Sequence, residues 1–284
     1  MKDIPYGCQC IDDADIAAVV EALRAEWLTT GPKVPEFEEV FAGYVGAKYA
    51  IAVSNGTAAL HAAMHAIDIG PGDEVIVPPM TFVATANCVV YQGGKPVFVD
   101  VDSGTLLIDP DRIEEKITPK TKAIIAVDYA GQPCNYERLR AIATKHKLAL
   151  VADGCHALGA AYKGHRVGVL ADMTVFSFHP VKHITTGEGG MITTDNPILA
   201  ERMRVFRNHG ITTDHRQREE QCSWCYEMVD LGYNYRITDF QCALGVSQLN
   251  KLPKWLARRQ EIARIYDAAF EAFPYVKPLS VSKD

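Results

Sequence analysis

Three short segments of this 284-residue chain carry residue types that could do chemistry. The first, Ser54-Asn55-Gly56-Thr57-Ala58-Ala59-Leu60, follows a β-rich run and opens a helical pattern. Free amides and the positive end of a helix dipole would meet there, and a glycine lets an anion such as phosphate come close. Alone, such a Gly-Thr turn at a helix start is more often plain N-capping. The second is Asp153, directly after the apolar run Leu148 to Ala152 and before Gly154, Cys155 and His156. An acid at the carboxyl end of a buried strand lies where open α/β sheets bind ligands, although a helix N-cap is an equal reading. The third is Thr174 to Gly190, where the aromatic strand Val175 to His179 runs through Pro180 and Val181 to Lys182, and then into Gly187-Glu188-Gly189-Gly190. A lysine flanked by buried structure loses water around its amine. Such an amine gives up its proton more readily, which is what condensation with a carbonyl needs.

The elements that must position these groups alternate. From about residue 50 to 195, β-rich runs and helical patterns follow one another, for example Ala123 to Val127, Tyr136 to Lys145 and Leu148 to Ala152. This predicts an α/β fold, a mainly parallel sheet with helices on both faces. Asp12 to Leu23 reads as an amphipathic helix with Ile16, Val19, Val20 and Leu23 on its apolar stripe. Ile237 to Leu249 and Pro253 to Phe270 read as two further helices. There is no internal repeat and no low-complexity stretch. Phe273 to Asp284 reads as an extended segment leaving a long helix. The expectation is a large domain over residues 1–250, with residues 251–284 as a linking helix and the start of a small C-terminal domain that is otherwise largely missing.

Composition narrows the class of function. With 48% hydrophobic and 23% charged residues the chain can bury a large core, and a net charge of -6 with scattered Lys and Arg offers no footprint for nucleic acid. No apolar run reaches the roughly 18 residues needed to cross a bilayer, so no membrane partner is expected and the cytosol is the expected compartment. The eight cysteines lack a regular spacing, and Cys222 with Cys225 has no second pair, so reduced thiols are expected and no metal site.

Taken together, the order of phosphate turn, strand-end aspartate and lysine resembles the large domain of fold-type I pyridoxal-phosphate enzymes, with their mainly parallel seven-stranded sheet. More narrowly, the chain resembles the sugar aminotransferases of the DegT/DnrJ/EryC1/StrS family. The likeness rests on Ile4 to Gly7, Thr30-Gly31-Pro32 before Phe37-Glu38, Ser54 to Leu60, Asp153 to Ala157, Ser177 to Lys182, Gly187 to Gly190 and Gly232-Tyr233-Asn234-Tyr235-Arg236. Within the family, Thr81 to Asn87, Val127 to Gly131 and His156 to Gly159 look most like transaminases of pseudaminic acid biosynthesis.

The resemblance implies a pyridoxal 5′-phosphate enzyme that moves an amino group from an amino acid, glutamate, to C4 of a UDP-linked 4-keto-6-deoxy-N-acetylhexosamine. It implies that Lys182 carries the cofactor and moves the proton. Asp153 would face the pyridine nitrogen, and Gly56, Thr57, Ala58 and Ser177 would hold the phosphate. Phe82 would stack on the ring, with core packing as its alternative, and His156 would lie beside it. Asn234 would reach the phosphate of a neighbouring subunit, which makes a homodimer with a shared site the expected assembly. Tyr6, Thr30 and Gly31 match positions near the sugar. Relatives that dehydrate the sugar carry histidine in place of the lysine, so Lys182 argues for transamination. A truncated, non-catalytic remnant that binds cofactor or a full-length partner is the rival reading.

Overall fold

The computed structural model describes Pro5, residues 7–213 and residues 224–282. Among the described residues nine strands run in chain order as β1 (Tyr49–Val53), β2 (Glu74–Val77), β3 (Lys95–Phe98), β4 (Thr121–Val127), β5 (Ala149–Asp153), β6 (Ala161–Tyr162), β7 (His165–Arg166), β8 (Met173–Ser177) and β9 (Gly190–Thr194). The α-helices among the described residues are α1 (Asp13–Arg24), α2 (Lys33–Val45), α3 (Gly56–Ala66), α4 (Ala84–Tyr91), α5 (Tyr136–His146), α6 (Pro197–Arg207) and α7 (Asp239–Phe270).

Seven strands form one sheet in the order β1-β9-β8-β5-β4-β2-β3, and β6 with β7 makes a separate two-stranded ribbon. Only β9 runs against its neighbours; every other adjacent pair is parallel. The expected α/β fold with a mainly parallel seven-stranded sheet is therefore observed. Strands β2, β4, β5 and β8 are buried along almost their whole length and mostly apolar, as a sheet covered on both faces requires. On one face α3, α4 and α6 pack through Leu60, Met64, Val89 and Phe206. On the other, Phe37 and Phe41 of α2 meet Phe176 and Phe178 at ring separations of 5.1 to 5.5 Å. Gly245 of α7 packs against them so closely that a Cβ there would sit 2.6 Å from the Phe37 ring.

Two expectations about helices are corrected. The two C-terminal helices are one helix of 32 residues with Pro253 inside it. An interior proline forfeits a hydrogen bond at a cost of about 3 kcal/mol, but Leu249 and Leu252 on the neighbouring turn are buried, and their packing holds the chain helical through it. The expected domain boundary after residue 250 thus falls within a helix. What changes there is burial, since the buried residues of α7 stop at Leu252.

The apolar stripe of α1 does not face the core either: Ile16, Val20 and Leu23 are exposed. The helix instead buries Asp15, whose carboxylate receives the Ser247 hydroxyl at 2.6 Å, the Gln248 amide at 2.7 Å and the Lys251 ammonium at 2.8 Å, all from α7. A buried charge so fully satisfied can outweigh apolar docking in orienting a helix.

Candidate active site

Register places the functional groups before any side chain is considered. Val53 of β1 and Ser177 of β8 both pair with Gly190 of β9, Val175 pairs with Asp153 of β5, and Asp153 pairs with Val127 of β4. One edge of the sheet, the carboxyl end of its parallel strands, therefore presents the Ser54 turn, Ser177, Asp153 and Asp128 side by side. This is where doubly wound sheets bind ligands.

Asp153 is buried and no helix follows it, which removes the N-cap reading. The Thr85 hydroxyl of α4 donates to its Oδ2 at 2.7 Å, and the Cys155 amide donates to Oδ1 at 3.2 Å. Because the Thr85 proton is committed to the carboxylate, the 2.7 Å contact between Thr81 and Thr85 has Thr81 as its donor. This relay was not foreseen; the i, i+4 spacing of the two threonines was its only signal.

The α3 N-terminus stands beside this acid. Asn55 caps the helix by accepting the Ala58 amide at 2.8 Å, which leaves the Gly56 and Thr57 amides, for which the helix has no carbonyl. A Cβ on Gly56 would lie 2.9 Å from Ser177 Cβ and 3.3 Å from its Oγ, and a Cβ on Gly190 would lie 2.5 Å from the Asn55 carbonyl oxygen. Both glycines are thus required for β8 and β9 to approach this turn, and the Ser177 hydroxyl sits at its mouth.

Lys182 lies in a turn, its amide bonded to the His179 carbonyl at 2.8 Å. It is half-buried, so its withdrawal from water is partial. Its charge reaches Cys155, His156 and His183. His156, open to solvent on one side, is lowered in pKa first by desolvation and then by Lys182, with Asp153 opposing. His183, whose Nδ1 is buried without a partner among the described residues, is pulled down to about 4, by burial first and then by the charges of Arg259, His156 and Lys182.

Phe82 is 71% exposed, which excludes the core-packing alternative, and it adjoins Thr81 of the relay to Asp153. Asn234 is exposed, and its segment runs along the phosphate turn of its own chain, with the Ser54 amide donating to the Tyr235 carbonyl at 2.8 Å. Thr30 and Gly31 line a different cavity, whose wall contains none of Gly56, Asp153, Ser177 or Lys182. Tyr6, and most of the charged segment Asp214 to Met228, lie outside the described residues.

Asp128, at the end of β4, was given no role from sequence. It is fully buried, and the Tyr136 hydroxyl and Cys134 amide both donate to its Oδ1 at 2.9 Å. Its own amide donates to the Asp153 carbonyl at 3.1 Å. Burial pushes its carboxyl up to about 7 against these hydrogen bonds, with the nearby Asp153 charge adding to the rise. Among the described residues no cluster of His, Cys, Asp and Glu could hold a metal ion, and no helix is long and apolar enough to cross a membrane.

Comparison with known proteins identifies the family. The model of the DegT/DnrJ/EryC1/StrS aminotransferase family matches residues 9–284. The chain is 44% identical over 272 residues to the spore coat polysaccharide biosynthesis protein SpsC of Bacillus subtilis, covering 95% of this chain and 70% of that protein. Among solved structures, it is similar to PseC of Helicobacter pylori, an aminotransferase involved in the biosynthesis of pseudoaminic acid, with TM-score 0.91 and 37% identity over 98% of this chain and 73% of that one. It is also similar to Spr1654 of Streptococcus pneumoniae in its PLP form, with TM-score 0.89 and 37% identity over 95% and 72% of the two chains. Aminotransferases of this family use pyridoxal 5′-phosphate. The residues present fit that group, since open amides, a buried satisfied carboxylate and a primary amine converge on one sheet edge. In fold, in the order of its motifs and in nearly its whole length, the chain belongs to the DegT/DnrJ/EryC1/StrS aminotransferase family.

Proposed function

We propose that the chain transfers the amino group of glutamate to the C4 keto carbon of a UDP-linked 4-keto-6-deoxy-N-acetylhexosamine. The observation that carries the reading is the convergence of the α3 N-terminus, Ser177, Asp153 and Lys182 on the carboxyl edge of the sheet. The likeness to PseC, together with Thr81 to Asn87 and Val127 to Gly131, supports the sugar class.

Pyridoxal phosphate supplies an electron sink for the charge left when a donor loses its Cα proton. The chain supplies the rest. The Gly56 and Thr57 amides and the Ser177 hydroxyl hold the phosphate, as a helix N-terminus is suited to do. The Asp153 carboxylate receives two hydrogen bonds from within the chain and would face the ring nitrogen, where its charge would keep that nitrogen protonated. Phe82 would cover a ring face, and His156 lies beside Asp153. The Lys182 amine would hold the cofactor, and it is the base placed to take the proton from the donor's Cα and to deliver one to the sugar's C4. Asn234 completes the site of a second copy, so the working form is a homodimer in the cytosol. Residues 1–250 form the cofactor unit, and residues 251–284 the linking helix and the start of a smaller domain.

The test is the absorbance spectrum of the chain with added pyridoxal phosphate, before and after borohydride, beside Lys182→Ala. A band that borohydride fixes on Lys182 and that glutamate bleaches, followed by conversion of the keto sugar, is the expected result. A folded chain with no lysine-dependent band sinks the cofactor roles. A band that glutamate leaves unchanged while another amino acid bleaches it replaces the donor alone.

A further inference from the structure

Thr30 and Gly31 take no part in the edge around Lys182, yet their surroundings are built for a ligand. They line a cavity of about 230 Å³ between the start of α2, the end of α6 and the segment at Arg236. Its wall carries three guanidinium groups, Arg204, Arg207 and Arg236, against two carboxylates, Glu38 and Glu201. Arg207 is committed, because it pairs with Glu38 and donates to the Ala52 carbonyl at 2.6 Å. The other two meet no carboxylate among the described residues. Arg236 donates to Asn208 Oδ1 at 2.9 Å, and Arg204 lies 5.9 Å from the centre of the Tyr49 ring.

Arg236 is partly withdrawn from water and sits beside a second cation, and desolvation followed by the Arg207 charge lowers its pKa. A guanidinium in that position lacks a counter-charge. The cavity wall is also held in a costly backbone form: Thr30, a β-branched residue, has φ +53°. Strain of this kind persists where surrounding contacts enforce it, and here the Asp239 carboxylate does so by receiving the Gly31 amide at 2.8 Å and the Lys33 amide at 2.9 Å.

We propose that this cavity binds a small oxyanion, a carboxylate or a phosphate, between the guanidinium groups of Arg236 and Arg204, with the Asn208 side-chain nitrogen as a further donor. Planar guanidinium forks match both kinds of anion with paired hydrogen bonds. The site is distinct from the α3 N-terminus. It adjoins it through the chain, because Arg236 follows Tyr235, whose carbonyl receives the Ser54 amide.

Calorimetric titration of the chain saturated with pyridoxal phosphate, at constant ionic strength in chloride, tests this with inorganic phosphate in one arm and 2-oxoglutarate in the other. One anion per chain is expected in at least one arm, and the tighter arm names the source. Arg236→Gln should weaken it by roughly tenfold or more, and Arg204→Gln by a few-fold. If Arg236→Gln does not fold, as circular dichroism would show, Arg236→Lys keeps the charge without the fork and should still weaken binding. Heats that match the chloride blank in both arms, or unchanged affinity in Arg204→Gln and in whichever Arg236 variant folds, overturn the proposal.

Discussion

Asp128 and Asp153 end neighbouring parallel strands, are both buried, and are joined by a backbone hydrogen bond, yet their surroundings differ. The end of β4 is sealed, with Asp128 facing the buried Tyr136 hydroxyl and the Cys134 amide. The end of β5 is less enclosed, with Asp153 backed by Thr85 and neighboured in the chain by partly buried Cys155 and exposed His156, and with half-buried Lys182 nearby. The lesson is that burial alone does not assign a carboxylate to chemistry. What separates them is whether a mobile cation or a ligand can reach the open side.

The strongest test of this contrast is at the open end. Lys182→Ala should abolish turnover by about four orders of magnitude or more, without lowering the thermal midpoint, because the side chain is half-buried and its main-chain turn is kept. Steady-state rates and a melting curve check it. Next, Asp153→Asn should cost about 10³-fold in kcat while leaving the fold intact, since the amide keeps an acceptor for Thr85 but loses the charge offered to the ring nitrogen.

At the sealed end, a pH dependence of stability is expected in place of a loss of rate. The folded Asp128 carboxyl, near 7, lies above its unfolded value, so the folded state holds a proton that the unfolded chain has released between about pH 4 and 7. Stability from this group is complete below that window and falls as pH rises through it, by about 1.4 kcal/mol per unit, then levels off. Asp128→Asn should remove that slope, read as the difference between denaturant midpoints of variant and parent across the window. An unchanged slope would erase the distinction between the two ends.

Smaller effects sharpen the picture further. Thr85→Val should cost about 1–2 kcal/mol of stability and lower kcat modestly, because Asp153 loses a donor within a buried site. Phe82→Ala should weaken cofactor affinity only a few-fold, with no loss of stability, because the ring is exposed and supports no core.

Much of this was legible from residue order. The apolar runs of β1, β4, β5 and β9 declared themselves through length and β-rich composition, and Ser54 to Leu60, Asp153 and Lys182 followed from their places at strand ends. The Thr81–Thr85–Asp153 relay was not legible, because a strand end and the first turn of a helix 68 residues away meet only in space. Helix α1 was legible as a helix but its orientation was not: the docking partner on α7 offers Ser247, Gln248 and Lys251, so the acid turned inward. Pro253 misled because local propensity was overridden by the burial of Leu249 and Leu252.

Sequence by itself determined the class of fold, the order of the strands along the chain and the residue types that could hold a phosphate, a ring nitrogen and a carbonyl, because hydrophobic periodicity and residue chemistry are local properties. Only the tertiary structure decided that Asn55 takes the Ala58 amide for itself, that Asp128 lies sealed beside Asp153, and that Thr30 and Gly31 belong to an arginine-lined cavity instead of the Lys182 cleft. Those outcomes depend on which donors, acceptors and charges from distant parts of the chain arrive within hydrogen-bonding reach, and that is set by sheet register and helix packing.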